Sequence, residues 1–76
     1  MLTAYILAQF AGSDFRETMA QLRAIDGVEQ AHLVMGPTDI IARVEAADLD
    51  ALGDITLAIL ALDGVAHTDT RLAWPV

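Results

Sequence analysis

The chain has 76 residues, 55% of them hydrophobic, and sets eleven acidic residues against four Arg and no Lys, for a formal charge of −7. A surface of that sign repels phosphate backbones, which argues against direct nucleic-acid binding, and no apolar run reaches the roughly 18 residues of a membrane span. There is no cysteine and there are only two isolated His, which excludes disulfides and Cys-based zinc sites; no metal or other cofactor is expected.

Residues 1–76 make one domain, close to the smallest size at which a single core holds a fold without staples. So apolar a chain with so much surface per volume is expected to place much of that surface against protein, and self-association is the common aid. The N-terminus has neither the basic stretch nor the cleavage site of a secretory signal, so the expected location is the cytoplasm.

In chain order, residues 2–10 alternate as a strand, with Leu2, Ala4, Ile6, Ala8 and Phe10 on an apolar face and Thr3, Tyr5, Leu7 and Gln9 on a mixed one. A helix opens at Ser13 or Asp14, where Asp14 and Glu17 have the spacing of a capping box, and Phe15, Met19 and Leu22 form its buried stripe. A second strand runs from about Val28 to Met35. The turn Gly36-Pro37-Thr38-Asp39 leads into a third strand, Asp39 to Glu45, with Ile40, Ala42 and Val44 on one side and Asp39, Ile41, Arg43 and Glu45 on the other. The second helix begins near Asp48, where Asp48, Asp50 and Asp54 suit the positive end of a helix dipole. Its core side is Leu49, Leu52, Ile55, Ile59 and Leu62, yet Leu57 and Leu60 make it apolar on a further side, which calls for another partner. A fourth strand follows from about Ala66 to Trp74. The patterns of the second and fourth strands do not assign their faces.

Asp26-Gly27-Val28 recurs as Asp63-Gly64-Val65 at a shift of 37 residues, and at that shift Phe15, Leu22, Ala24 and Ile25 fall on Leu52, Ile59, Ala61 and Leu62. Each half is therefore a strand, a helix closed by Gly, and a strand. Joined through the 36–39 turn, the halves predict an α+β fold of ferredoxin-like βαββαβ type, a four-stranded antiparallel sheet with both helices on one face. The other face, with Tyr5, Leu7 and Ile41 among Thr3, Gln9, Arg43 and Glu45, is too apolar for water and too polar for a monomer core. Two such sheets packed face to face form the expected dimer.

The 36–39 turn is also the candidate ligand site, since Gly36 accepts unusual backbone angles and Pro37, Thr38 and Asp39 put short polar groups at a strand mouth. By themselves its residues read more often as a plain hairpin turn than as a site. Elsewhere the residues favour structural readings: His32 and His67 bond locally or face solvent, Tyr5 is an interface aromatic, and Trp74 packs over a sheet edge or a neighbouring chain. Arg43 and Glu45 suggest a cross-subunit ionic network.

Gly27-Val28 leading to His32-Leu33-Val34-Met35-Gly36, then Asp39, Asp48-Leu49, and Gly64-Val65 leading to Thr68-Asp69-Thr70, resembles the effector-binding domain of the Lrp/AsnC family of feast/famine transcription regulators, in a stand-alone form without the DNA-binding module. The resemblance implies a dimer through facing sheets, rings of dimers, and a free amino acid bound where dimers meet. It carries the ligand site to Gly36, Pro37, Thr38 and Asp39, with Thr68 and Thr70 of the fourth strand, and suggests full-length family regulators as partners. Where relatives often have an aromatic residue before the aspartate, this chain has Thr38. Arg71 stands at a position commonly apolar in relatives, which suits an acidic effector or an ion pair with a neighbouring chain. A competing reading is an enzyme of the dimeric α+β barrel type, with His32, Tyr5 and Asp39 as its only acid/base candidates; another is a structural assembly domain with no ligand.

Overall fold

The computed structural model describes residues 1–75. The elements are β1 (Leu2–Phe10), α1 (Phe15–Arg23), β2 (Val28–Leu33), β3 (Ile40–Ala46), α2 (Leu49–Leu60) and β4 (Val65–Leu72). The strands form one antiparallel sheet in the order β2-β3-β1-β4, the ferredoxin-like arrangement that the duplicated pattern predicts. α1 packs chiefly on β2 and α2 chiefly on β4. Between helices and sheet lies the core: Ala4, Ile6 and Ala8 of β1 and Ile40, Ala42 and Val44 of β3 meet Met19 and Leu22 of α1 and Leu52, Ile55 and Ile59 of α2. The small residues at strand centres let both helices approach the sheet closely, while Ile6, Leu22 and Ile59 supply the volume.

The helix starts match their capping residues. Asp14 accepts from Glu17 N at 3.1 Å and Asp48 from Ala51 N at 2.8 Å, each satisfying an otherwise orphaned N–H. The expected reciprocal half of the first capping box is absent from the hydrogen bonds of the described residues. Glu17 Oε1 instead accepts from Gln21 Nε2 one turn on, at 3.1 Å.

Two core expectations are corrected. Phe15 stays 40% exposed with the Arg16 guanidinium 5.3 Å from its ring centroid. Thr18 is buried instead, because its Oγ1 donates to Asp63 O at 2.8 Å and so ties α1 to the loop before β4. Leu49 is 67% exposed rather than core, since it shares a flank with Thr56, seven residues on, and not the underside held by Leu52, Ile55 and Ile59. β2 and β4 also end sooner than their apolar runs, at Leu33 and Leu72. At Phe10 the β1–β4 pairing shifts register.

The internal repeat is structural. Leu22 O accepts from Ile25 N and Ile25 O from Val28 N, and at the 37-residue shift Ile59 O accepts from Leu62 N and Leu62 O from Val65 N. Both exits then pass through a left-handed glycine, Gly27 at φ 99° and Gly64 at φ 90°. Each glycine carbonyl binds the other half: Gly27 O accepts from Glu45 N at 2.8 Å, Gly64 O from Ala11 N at 2.7 Å. A Cβ on Gly27 would lie 2.5 Å from Ile55 Cδ1 and 3.0 Å from Glu45 O. Gly27→Ala is therefore expected to destabilise the domain by about 1–3 kcal/mol in chemical denaturation, through a strained φ and a displaced Ile55.

Candidate functional site

The register of paired strands resolves the faces that the patterns of β2 and β4 leave open. Residues opposite Ala4, Ile6 and Ala8 lie on the helix side, so Leu72, Thr70 and Thr68 of β4 share that side. The bare face carries Thr3, Tyr5, Leu7 and Gln9, flanked by Ile41 and Arg43 of β3, Gln30 and His32 of β2, and His67, Asp69 and Arg71 of β4. Tyr5 and Ile41 are exposed there, on the face that carries no helix.

Arg43 bonds Glu45 at 3.1 Å and Arg71 bonds Asp69 at 3.1 Å, both within the chain. Arg43 and Glu45 sit two apart on one strand face, where a guanidinium reaches the next carboxylate directly. With Arg23 on Ala31 O and Arg16 over Phe15, all four Arg are engaged internally, leaving no free basic patch to add to the unfavourable net charge. Trp74 is 80% exposed, so it does not pack over its own sheet.

The 36–39 turn sits where β1 ends and β3 begins. Its aspartate is structural before it is anything else: Asp39 Oδ2 accepts from Phe10 N at 3.1 Å and Asp39 N donates to Ala8 O at 3.0 Å, locking the turn to β1. Asp39 O accepts from Val34 N at 2.6 Å, closing the turn onto β2. Gln9 Nε2 adds a bond to Pro37 O at 3.1 Å. Gln9 escapes sequence reasoning, because only the register reveals that it stands beside the turn. Gly36 has φ 145°, and a Cβ there would meet only Thr38 O, at 4.0 Å. Among the described residues no hydrogen bond engages the N–H groups of Gly36 and Thr38. The turn is thus held to β1 and β2, while among the described residues the Gly36 and Thr38 N–H groups and Asp39 Oδ1 have no hydrogen-bond partner.

Thr68 and Thr70 are not brought to the turn within one chain. Thr68 stands opposite Ala8 on the far side of β1, and Thr70 Oγ1 lies 3.5 Å from Thr56 Oγ1 of α2, on the helix side. The three acid/base candidates are also dispersed. His32 pairs with Ile41 and Tyr5 with Arg43 and Arg71, and among the described residues no hydrogen bond joins His32, Tyr5 and Asp39. No group of three or more His, Cys, Asp or Glu among the described residues is disposed to hold a metal.

The sequence model of the Lrp/AsnC ligand-binding domain matches residues 3–74. The chain belongs to the Lrp/AsnC family. An uncharacterized HTH-type transcriptional regulator of Pyrococcus furiosus is 32% identical over 76 residues, which are 95% of this chain and 51% of that protein. The chain thus spans about half the length of the curated relatives it matches, and those relatives are transcription regulators, not enzymes. Among solved structures, a Thermus thermophilus protein is 32% identical with a TM-score of 0.90, covering 100% of this chain and 96% of the other. A hypothetical protein of Pyrococcus horikoshii is 35% identical with a TM-score of 0.85, covering 100% and 93%. The fold also recurs at 22% identity and a TM-score of 0.84 in a Neisseria meningitidis regulator solved with L-Met, over 96% of this chain and 49% of that one. An M. tuberculosis feast or famine regulatory protein, solved with L-methionine, shares it at 23% identity and a TM-score of 0.84, over 100% and 52%. Among the described residues of this Lrp/AsnC domain, no helix is long and apolar enough to cross a membrane.

Proposed function

We propose that this Lrp/AsnC domain senses a free amino acid at the Gly36–Asp39 turn, where two dimers meet. Occupancy is passed on by contact with full-length regulators of the family rather than by direct binding to DNA. One observation carries the reading: in a ligand-binding domain, this turn offers two unpartnered N–H groups and a carboxylate with one uncommitted oxygen. Those groups match a zwitterion, the amides facing its α-carboxylate and Asp39 its α-ammonium, with charge-assisted bonds worth roughly 1.5–3 kcal/mol each.

The turn is open on its outer side, with Met35, Gly36 and Pro37 exposed, so a ligand there needs walls from another chain. That need supports a site between dimers, the dimers themselves formed by the bare sheet faces around Tyr5, Leu7 and Ile41. Thr68 and Thr70, on the other side of β1, belong to the ligand site only through such a second chain. Thr38, small and half-buried, leaves space beside the aspartate for the ligand's own side chain. The regulators solved with methionine make it the first ligand to try.

A thermal-shift screen of the proteinogenic amino acids tests the reading. A ligand at 100 times its Kd is expected to add about 2.7 kcal/mol of stability. A flat profile across all of them would sink amino-acid sensing and leave the ligand-free assembly domain.

A further inference from the structure

Two consecutive residues of β1 hold the two peptide units that flank Thr38. Asp39 N donates to Ala8 O at 3.0 Å, which fixes the Thr38–Asp39 unit, and Gln9 Nε2 donates to Pro37 O at 3.1 Å, which fixes the Pro37–Thr38 unit. Pro37 O and the Thr38 N–H belong to that one unit, and none of the described peptide bonds is cis. In a planar trans unit the carbonyl and the N–H point in opposite directions, so a donor seated on Pro37 O decides where the Thr38 N–H points: away from the Gln9 amide. Only the nitrogen of a side-chain amide can donate to a carbonyl, so the partner also sets which way round the Gln9 amide lies.

No other contact of this kind fixes that direction. Among the described residues the backbone of Gly36, Pro37 and Thr38 makes no hydrogen bond besides the one from Gln9. Gly36, at φ 145°, is a permissive joint, and Pro37 has no N–H to anchor. Without the Gln9 bond the Pro37–Thr38 plane is free to rotate about ψ of Pro37 and φ of Thr38, carrying the N–H with it. Gln9 is well placed to prevent this, because its main chain is fixed within β1, opposite His67 of β4. A hydrogen bond accepted by a carbonyl also polarises its peptide unit and strengthens the N–H at the other end as a donor.

We propose that Gln9 is a positioning residue of the 36–39 turn: by holding Pro37 O, it aims the Thr38 N–H at a ligand's carboxylate. The turn therefore favours ligands with a free carboxylate over the corresponding carboxamides, since an aimed N–H bonds an anionic oxygen more strongly than a neutral one. This role rests on the reading of the turn as an amino-acid site. Its first consequence, the direction of the Thr38 N–H, holds without any ligand.

Gln9→Met keeps the length of the side chain and removes its donor. In the ligand-free variant the Thr38 amide cross-peak is expected to move upfield in 15N, because its peptide unit loses polarisation. The Val34 amide, which donates to Asp39 O at 2.6 Å, is expected to keep its position and so to report that the turn stays seated. The midpoint of urea denaturation is expected to be unchanged. Glycine, the smallest amino acid, and glycinamide then serve as probes, titrated against the Gly36 and Thr38 amides of the parent chain and the variant. Gln9→Met is expected to raise the glycine dissociation constant about 2–10-fold, the worth of one hydrogen bond, and to leave that of glycinamide unchanged. A Thr38 cross-peak that does not move in the ligand-free variant overturns the orienting bond. Equal glycine affinities, or equal losses for glycine and glycinamide, overturn the positioning role even where the cross-peak moves. Glycine that perturbs no amide of the parent turn overturns the amino-acid reading itself, and this role with it, and the ligand-free displacement tells that failure apart from the first.

Discussion

Ile6→Ala is expected to cost about 2–5 kcal/mol, the largest loss from any single truncation in the core. Ile6 is fully buried at the middle of β1, between Ala42 of β3 and Thr70 of β4. Both of these are smaller side chains, so neither can expand into the space that truncation leaves. A 76-residue domain at roughly 0.05–0.15 kcal/mol per residue holds about 4–11 kcal/mol in total, so one cavity removes a large share. Urea denaturation is expected to show a lower midpoint at an unchanged slope. A midpoint within error of the parent would mean that the core relaxes around position 6, contrary to this packing.

The second large effect concerns Asp39, and the choice of substitution decides what is learned. Asp39→Ala removes both the acceptor for Phe10 N and the charge offered to an ammonium group, so it confounds turn structure with binding. Asp39→Asn keeps an amide oxygen for Phe10 N and removes only the charge. Its stability without ligand is expected to stay within about 1 kcal/mol of the parent, while the ligand-dependent gain of about 2.7 kcal/mol disappears. If Asp39→Asn keeps the full gain, the carboxylate is a structural brace of β1 and not an ammonium partner.

The turn illustrates how far sequence carries a site. Its position, midway in a duplicated strand–helix–strand chain, followed from the 37-residue repeat, and its polar residues marked it as a candidate. Its bonding did not follow, because the side-chain partners of Gln9 and Asp39 lie 28 and 29 residues away across strands whose register the pattern leaves open. Thr68 and Thr70 show the same limit. Their residue types suit a ligand, but a strand whose alternation is weak cannot say which side they face, and pairing with Ala8 and Ile6 puts them under the helices.

Alone, the sequence determined the order of elements, both helix starts, the left-handed exits at Gly27 and Gly64, and a sheet with one core face and one bare face. These are local in cause, arising from capping chemistry, glycine's backbone freedom and apolar periods of 2 and 3.6 residues. Tertiary structure decided what depends on register and helix rotation. It buried Thr18 in place of Phe15 and swung Leu49 from the core to the β4 flank of α2. It paired Arg43 with Glu45 along β3 and set the Arg23 guanidinium on the Ala31 carbonyl at the β2 edge. A one-residue slip or a fraction of a helical turn changes each of these outcomes without altering the pattern that encodes the fold.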